Sequence, residues 1–191
     1  YGRAETYQAL SVVPGPNQQP FILPAGLLRL NSAVTGDISI PVGLLKFDIF
    51  TAGEGSDRKL IAEALAPNEI VTLNAGIYYV ISYFGQGNAV VRADLRVEAG
   101  KLTDATLYHH ASQVGFKLVS ETGGEAIADV EWTVKTGDGA TVFSELGAFP
   151  STVLAEGDYL VLAKQGAQVF SREFEVQPGP AREIEILTTV Y

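Results

Sequence analysis

The amino-acid sequence predicts an all-β protein made of two tandem seven-stranded β-sandwiches, and three observations carry that expectation. Apolar and polar residues alternate at period two over short stretches, the pattern of strands with one buried and one wet face. Gly, Pro, Asn and Asp interrupt these stretches at short intervals, as turns require. A ten-residue phrase is also written twice: "GIYYVISYFG" at 76–85 returns as "GDYLVLAKQG" at 157–166.

The match extends in both directions. Leu73, Gly76, Tyr78, Val80 and Gly85 fall on Leu154, Gly157, Tyr159, Val161 and Gly166 at a constant offset of 81. Downstream, "LRVEAG" (95–100) falls on "FEVQPG" (174–179), and "DATLY" (104–108) on "EIEIL" (183–187). Upstream, "LLKFDIF" (44–50) falls on "DVEWTVK" (129–135) at an offset of 85. The offset changes only at turns: 51–59 is longer than 136–140, and Gly87–Asn88 has no counterpart. Length changes confined to turns are what a structural repeat shows. The expected division is an N-terminal arm at 1–26, a first repeat at 27–111 and a second at 112–191.

The elements follow in order. Residues 1–26 read as an arm, or as the tail of a preceding repeat, because "LSVVPGP" (10–16) resembles "FEVQPGP" (174–180). The chain starts at Tyr1 with no Met, so it is expected to be processed or part of something longer. In the second repeat "GFKLVS" (115–120) opens the set. Val130, Trp132 and Val134 then alternate with Glu131, Thr133 and Lys135, and "TGDGA" supplies a hairpin turn whose Asp-Gly accepts positive φ. "TVFSEL", "STVL", "DYLVLAK", "VFSREFEV" and "REIEIL" complete about seven strands. Trp132 and Phe47 are the expected inward anchors of the two copies. No segment carries a helical stripe, so sheet must pack on sheet.

At "LAEGDYLVLAKQG" the chain resembles the prealbumin-like or carboxypeptidase-regulatory-like sandwiches, with the related PEGA and CnaB-type repeats of bacterial envelope proteins. Gly124, Ala128, Val130, Trp132, Val134, Leu154, Gly157, Tyr159, Val161, Ala163 and Gly166 stand in the pattern of those modules. Leu45, Phe47, Ile49, Leu73, Gly76, Tyr78, Val80, Ser82 and Gly85 do so in the first copy. The resemblance covers about residues 27–191 and implies an Ig-like or prealbumin-like sandwich in a periplasmic, cell-surface or secreted bacterial protein. CnaB-type modules often close a Lys–Asn isopeptide bond. Lys117 could stand for the lysine, but the last strand has no Asn and Arg29 occupies the matching place in the first copy, so no crosslink is expected.

Composition excludes several function classes. The 191 residues are 47% hydrophobic and 18% charged, enough to bury a core. A net charge of −9 repels phosphate backbones, and the 13 Lys and Arg are scattered, so nucleic acid is not an expected partner. No apolar run is long enough to span a bilayer as a helix. Cysteine is absent, which removes disulfides, thiolate metal ligands and a thiol nucleophile.

Nothing in the chain assembles a recognisable catalytic set, and no enzyme activity, cofactor or metal is expected. There is no G-x-S-x-G, and the two histidines, His109 and His110, are adjacent, so in an extended segment they point apart. The acidic turns "GEGSD" (53–57) and "TGDG" (136–139) lack the run of oxygen ligands that calcium needs. "GQGN" (85–88) leads into a strand and is no phosphate loop.

One face does stand out. Tyr78, Val80 and Ser82 should face the core, as Tyr159, Val161 and Ala163 do in the second copy. The opposite face reads Tyr79, Ile81, Tyr83 in the first copy but Leu160, Leu162, Lys164 in the second. Tyr79, Ile81 and Tyr83 are therefore the candidate interaction surface. Three occupants are open: the 1–26 segment or a neighbouring repeat, a protein partner, or a sugar stacked on the tyrosines. The favoured expectation places residues 1–26 over Tyr79 and Tyr83. The expected function is a non-catalytic spacer or interaction module. The alternatives are a carbohydrate-binding module using exposed tyrosines of the first repeat, and a hydrolase with an unrecognised carboxylate pair.

Overall fold

The structure, a computed structural model, describes residues 4–188. The first repeat contributes β1 (Ala25–Val34), β2 (Ile38–Ser39), β3 (Leu45–Thr51), β4 (Leu60–Leu65), β5 (Ile70–Asn74), β6 (Gly76–Phe84), β7 (Val90–Val97) and β8 (Leu102–His109). The second contributes β9 (Ala111–Val119), β10 (Glu131–Thr136), β11 (Thr141–Leu146), β12 (Ser151–Ala155), β13 (Gly157–Gln165), β14 (Gln168–Val176) and β15 (Arg182–Leu187). Short 3-10 turns occupy Val42–Leu44 and Gly55–Asp57, and the described residues contain no α-helix.

The strand order repeats. One sheet of the first copy runs β4-β3-β6-β7, and one sheet of the second runs β11-β10-β13-β14. The other sheet places β1 between β5 and β8, and its counterpart places β9 between β12 and β15. The protein is all-β, two sandwiches drawn on one plan. The two-residue β2 is the difference: it pairs with the end of β1 through Ala33–Ser39 and Val34–Ile38, an eighth strand in the first copy.

Period-two alternation places the cores. In β10, Trp132 and Val134 are fully buried while Glu131 is exposed. Trp132 stacks on Phe116 at 5.8 Å between ring centroids, and its indole N–H donates to the Gly147 carbonyl at 2.8 Å. That bond satisfies the one polar atom such a core would otherwise strand. Phe47 in β3 is likewise fully buried, so both expected anchors lie inside. Val80, Val161, Ser82 and Ala163 are fully buried too.

By compactness the chain forms two units. One takes residues up to Asn31, with Lys46–Ser82 and Arg92–Leu107; the other takes Ser32–Leu45, Tyr83–Val91 and the chain from Tyr108 onward. The second unit thus holds the whole second repeat together with the segments 32–45 and 83–91 of the first.

Candidate interaction surface

Strand β6 carries the three residues singled out by the sequence. Its alternation holds: Val80, Ser82 and Phe84 are buried, and Tyr79, Ile81 and Tyr83 are half-buried on the other face. The tyrosines are therefore neither fully open to solvent nor closed off from it. Tyr79 carries the Arg58 guanidinium 3.4 Å from its ring centroid, and the Phe50 ring packs at 6.2 Å. Arg58 lies in the turn 51–59 of the first copy, which is longer than its counterpart 136–140 in the second. A guanidinium on a tyrosine face is held by the ring's negative quadrupole.

Among the described residues of the N-terminal segment, 6–24 are not packed over this face. Residues 6–24 are exposed and form no strand, with Tyr7, Val12 and Ile22 each at least 79% accessible. Arg58, a residue the sequence reading passed over, takes the place on Tyr79. The physical reason is proximity: Arg58 lies seven residues from the end of β3, beside the strand it covers.

The second feature is a corner that both repeats build. At Gly76 and Gly157 the chain turns from one sheet into the other, and two residues on a tyrosine reaches back. Tyr78 donates to the Asn74 carbonyl at 2.8 Å, and Tyr159 donates to the Ala155 carbonyl at 2.8 Å. Burial pushes both hydroxyls above their usual pKa, and in Tyr159 a bond from Asn88 offsets part of the rise.

That Asn88 completes the corner of the second repeat. Its side-chain NH2 donates to Tyr159 Oη at 2.8 Å, and its Oδ1 accepts from the Ala155 backbone N–H at 2.9 Å. Asn88 stands in the β6–β7 turn of the first repeat, within the same compact unit as Tyr159. The turn lies flush on β12. A Cβ at Gly87 would sit 2.5 Å from the Val153 carbonyl oxygen, and one at Gly85 would sit 2.8 Å from Val153 Cγ2. Gly85 also holds φ at +72°, where a side chain is strained. The equivalent Gly166 of the second repeat meets nothing within 4 Å. Asn88 was visible in the sequence only as part of an unmatched pair, Gly87–Asn88, at the point where the repeats differ in length.

Asn74 does the corresponding work in the first repeat from the opposite side. Its Oδ1 accepts from the Glu5 N–H at 2.9 Å and its NH2 donates to the Glu5 carbonyl at 3.0 Å. One side-chain amide thus pairs with both backbone groups of a residue in the N-terminal segment, as a neighbouring strand would.

The remaining polar candidates stay apart. His109 ends β8 almost fully buried, 5.7 Å edge-on from Phe84, and burial lowers its pKa to about 4. His110 is exposed, with Nδ1 3.6 Å from Glu156. The pair points apart as extended geometry requires, and His109 is a core residue. No group of three or more His, Asp or Glu able to hold a metal occurs among the described residues. Lys117 pairs with Glu183 at 2.9 Å and Glu185 at 2.8 Å. The bonds the lysine donates to Glu185 and Glu183 raise its pKa, so it remains an ammonium.

Comparison with known proteins finds a match for the second repeat. Residues 113–188 match a family described as the Rhizobiales growth-associated tandem repeat domain. No curated protein matches the chain. Among solved structures, the minor pilin GBS52 of Streptococcus agalactiae is 13% identical, with 87% of this chain and 97% of that chain covered and a TM-score of 0.37. A streptococcal ancillary pilin is 10% identical over 87% of this chain and 63% of its own, with a TM-score of 0.40. The Bacillus anthracis TIE protein is 12% identical over 86% of this chain, with a TM-score of 0.33. This chain spans only 34% of the TIE protein's length.

Proposed function

We propose that the chain is a non-catalytic structural module, a tandem β-sandwich spacer of a bacterial periplasmic or cell-surface protein, of the PEGA or CnaB kind that its sequence resembles. The observation that carries this reading is the bond from Asn88 to Tyr159. A turn within one repeat also completes the corner of the next, so the chain spends residues on joining repeats in a set order. A self-sufficient binding module has no use for such a bond; a spacer does. The growth-associated tandem-repeat family matched by the second repeat supports the same reading. Its partners are neighbouring repeats and the domains they hold apart. A carbohydrate platform on Tyr79 is disfavoured, because a sugar and the Arg58 guanidinium compete for one ring face.

The test is replacement in the bacterium that encodes the chain. Exchanging residues 25–188 for an unrelated tandem pair of β-sandwiches of similar length should leave growth and the parent protein's location unchanged. If growth fails, and the double change Tyr79→Ala, Tyr83→Ala fails equally, the face is a recognition surface and the spacer reading is wrong. Protease added to intact and to osmotically opened cells checks the compartment. Cleavage that requires opening of the inner membrane would remove the envelope placement.

A further inference from the structure

The N-terminal segment is bonded to the first repeat at both of its ends, and the junction at the second repeat duplicates the bonds at its far end. The Pro24 carbonyl accepts from the Ala75 N–H at 2.7 Å, and the His110 carbonyl accepts from the Glu156 N–H at 2.8 Å. The Ala25 carbonyl accepts from Gly100, and the Ala111 carbonyl from Gly179. Ala75 and Glu156 are equivalent in the repeat, as are Gly100 and Gly179. Pro24 therefore stands where His110 stands, at the end of a closing strand.

The other end agrees. Val12 and Gly15 fall on Val97 and Gly100 at an offset of 85, which places Glu5 on Val90. Val90 lines a recess with Ala89, Ala155 and Glu156. Glu5 is bonded to Asn74, the residue equivalent to Ala155. The segment thus touches the first repeat at its start and its end where β7 and β8 of the first repeat touch the second. Between those ends it runs without a sheet, and Tyr7, Leu10, Val12, Phe21 and Ile22 are exposed.

We propose that residues 4–24 are the two closing strands of a further repeat. The partner that covers them is the set of opening strands of that repeat, equivalent to β1–β6 and carried by the same polypeptide. The inference deepens the spacer reading by naming the partner, and rests on its tandem-repeat basis. The register names the buried side chain. Val12 is equivalent to Val97 and Val176, both buried, whereas Val13 is equivalent to the exposed Glu98 and Gln177. Apolar residues in alternation are the face of a strand awaiting a core.

The experiment extends the full chain. A second copy of residues 25–88 is placed immediately before residue 4, and amide exchange is read across residues 6–23. Exchange should slow on the order of a hundredfold, because joining a folded sheet moves an amide from local fraying toward global opening. Val12→Asp in the extended chain should abolish the slowing and Val13→Asp should not. Unchanged exchange, or equal effects of the two substitutions, overturns the proposal. If the extended chain aggregates, a swap decides: residues 4–24 replace residues 89–110 in the original chain. The first repeat should still unfold cooperatively, and loss of its transition overturns the equivalence. Self-association of the unextended chain, abolished by Val12→Asp, would make a second molecule the partner and overturn the assignment to the same chain. The spacer reading falls separately, by the replacement in cells.

Discussion

Asn88 donates to the hydroxyl of Tyr159 at 2.8 Å, although the two residues are 71 apart and belong to different copies of the repeat. The same side chain accepts the Ala155 N–H, so one amide satisfies two groups at a corner where the backbone has left its sheet.

Asn88→Ala should therefore destabilise the unit that contains Tyr159 by roughly 1–3 kcal/mol, the cost of leaving a partly buried donor without its acceptor. Tyr159 keeps its bond to the Ala155 carbonyl, so the corner itself should survive. Gly87→Ala should act in the same direction, because its Cβ meets a backbone carbonyl that cannot rotate away. Gly166→Ala should lose only what its positive φ demands. Thermal denaturation of the three variants checks the order, and equal losses for Gly87→Ala and Gly166→Ala would remove the role given to this turn.

Trp132→Ala should cost about 3–5 kcal/mol, because a large fully buried ring leaves a cavity and an orphaned carbonyl at Gly147. Against a typical domain stability of about 5–15 kcal/mol, the second repeat should become marginal. Circular dichroism during urea unfolding reads the effect. A loss under about 1 kcal/mol, the scale of a surface change, would sink the anchor assignment.

His109 makes stability depend on pH. Its folded pKa, about 4, lies below its ordinary value of 6.5 because burial penalises the charged ring. The unfolded chain then binds a proton first, so stability is full above pH 6.5 and falls as pH drops from 6.5 toward 4. The loss approaches roughly 3 kcal/mol, at about 1.4 kcal/mol per unit of difference. His109→Gln should flatten the wild-type slope over that window, measured as the difference in unfolding free energy between the two chains. Parallel slopes would place the acid sensitivity elsewhere.

Lys117 should form no covalent crosslink. It lies opposite Glu185 in the parallel pairing of β9 and β15, and both Glu183 and Glu185 hold it as an ammonium, which has no lone pair for attack. Intact mass should equal the sum of the residues. A deficit of one water would show that the ion pair had condensed after all.

Much of the fold was legible because the signals were local. Trp132 and Val134 declared their burial by alternating with Glu131 and Thr133, and the repeated phrase placed Tyr78 and Tyr159 at equivalent positions. That Tyr79, Ile81 and Tyr83 share one face was legible for the same reason. What covers Tyr79 was not, because Arg58 reaches it from a loop whose length differs between the copies, and no periodicity describes such a loop.

Alternation and repetition, taken alone, determined the all-β class and inward residues such as Phe47, Val80, Trp132 and Val161. They could do so because the pleat gives every second side chain to one face, whatever the rest of the chain does. The tertiary structure alone decided that Asn88 meets Tyr159, that Asn74 takes the Glu5 backbone and that His109 is buried beside Phe84. Those contacts join segments from distant parts of the chain through single polar groups or one ring edge. Such pairings leave no periodic trace, because each depends on where two loops or strand ends arrive once the sheets have formed.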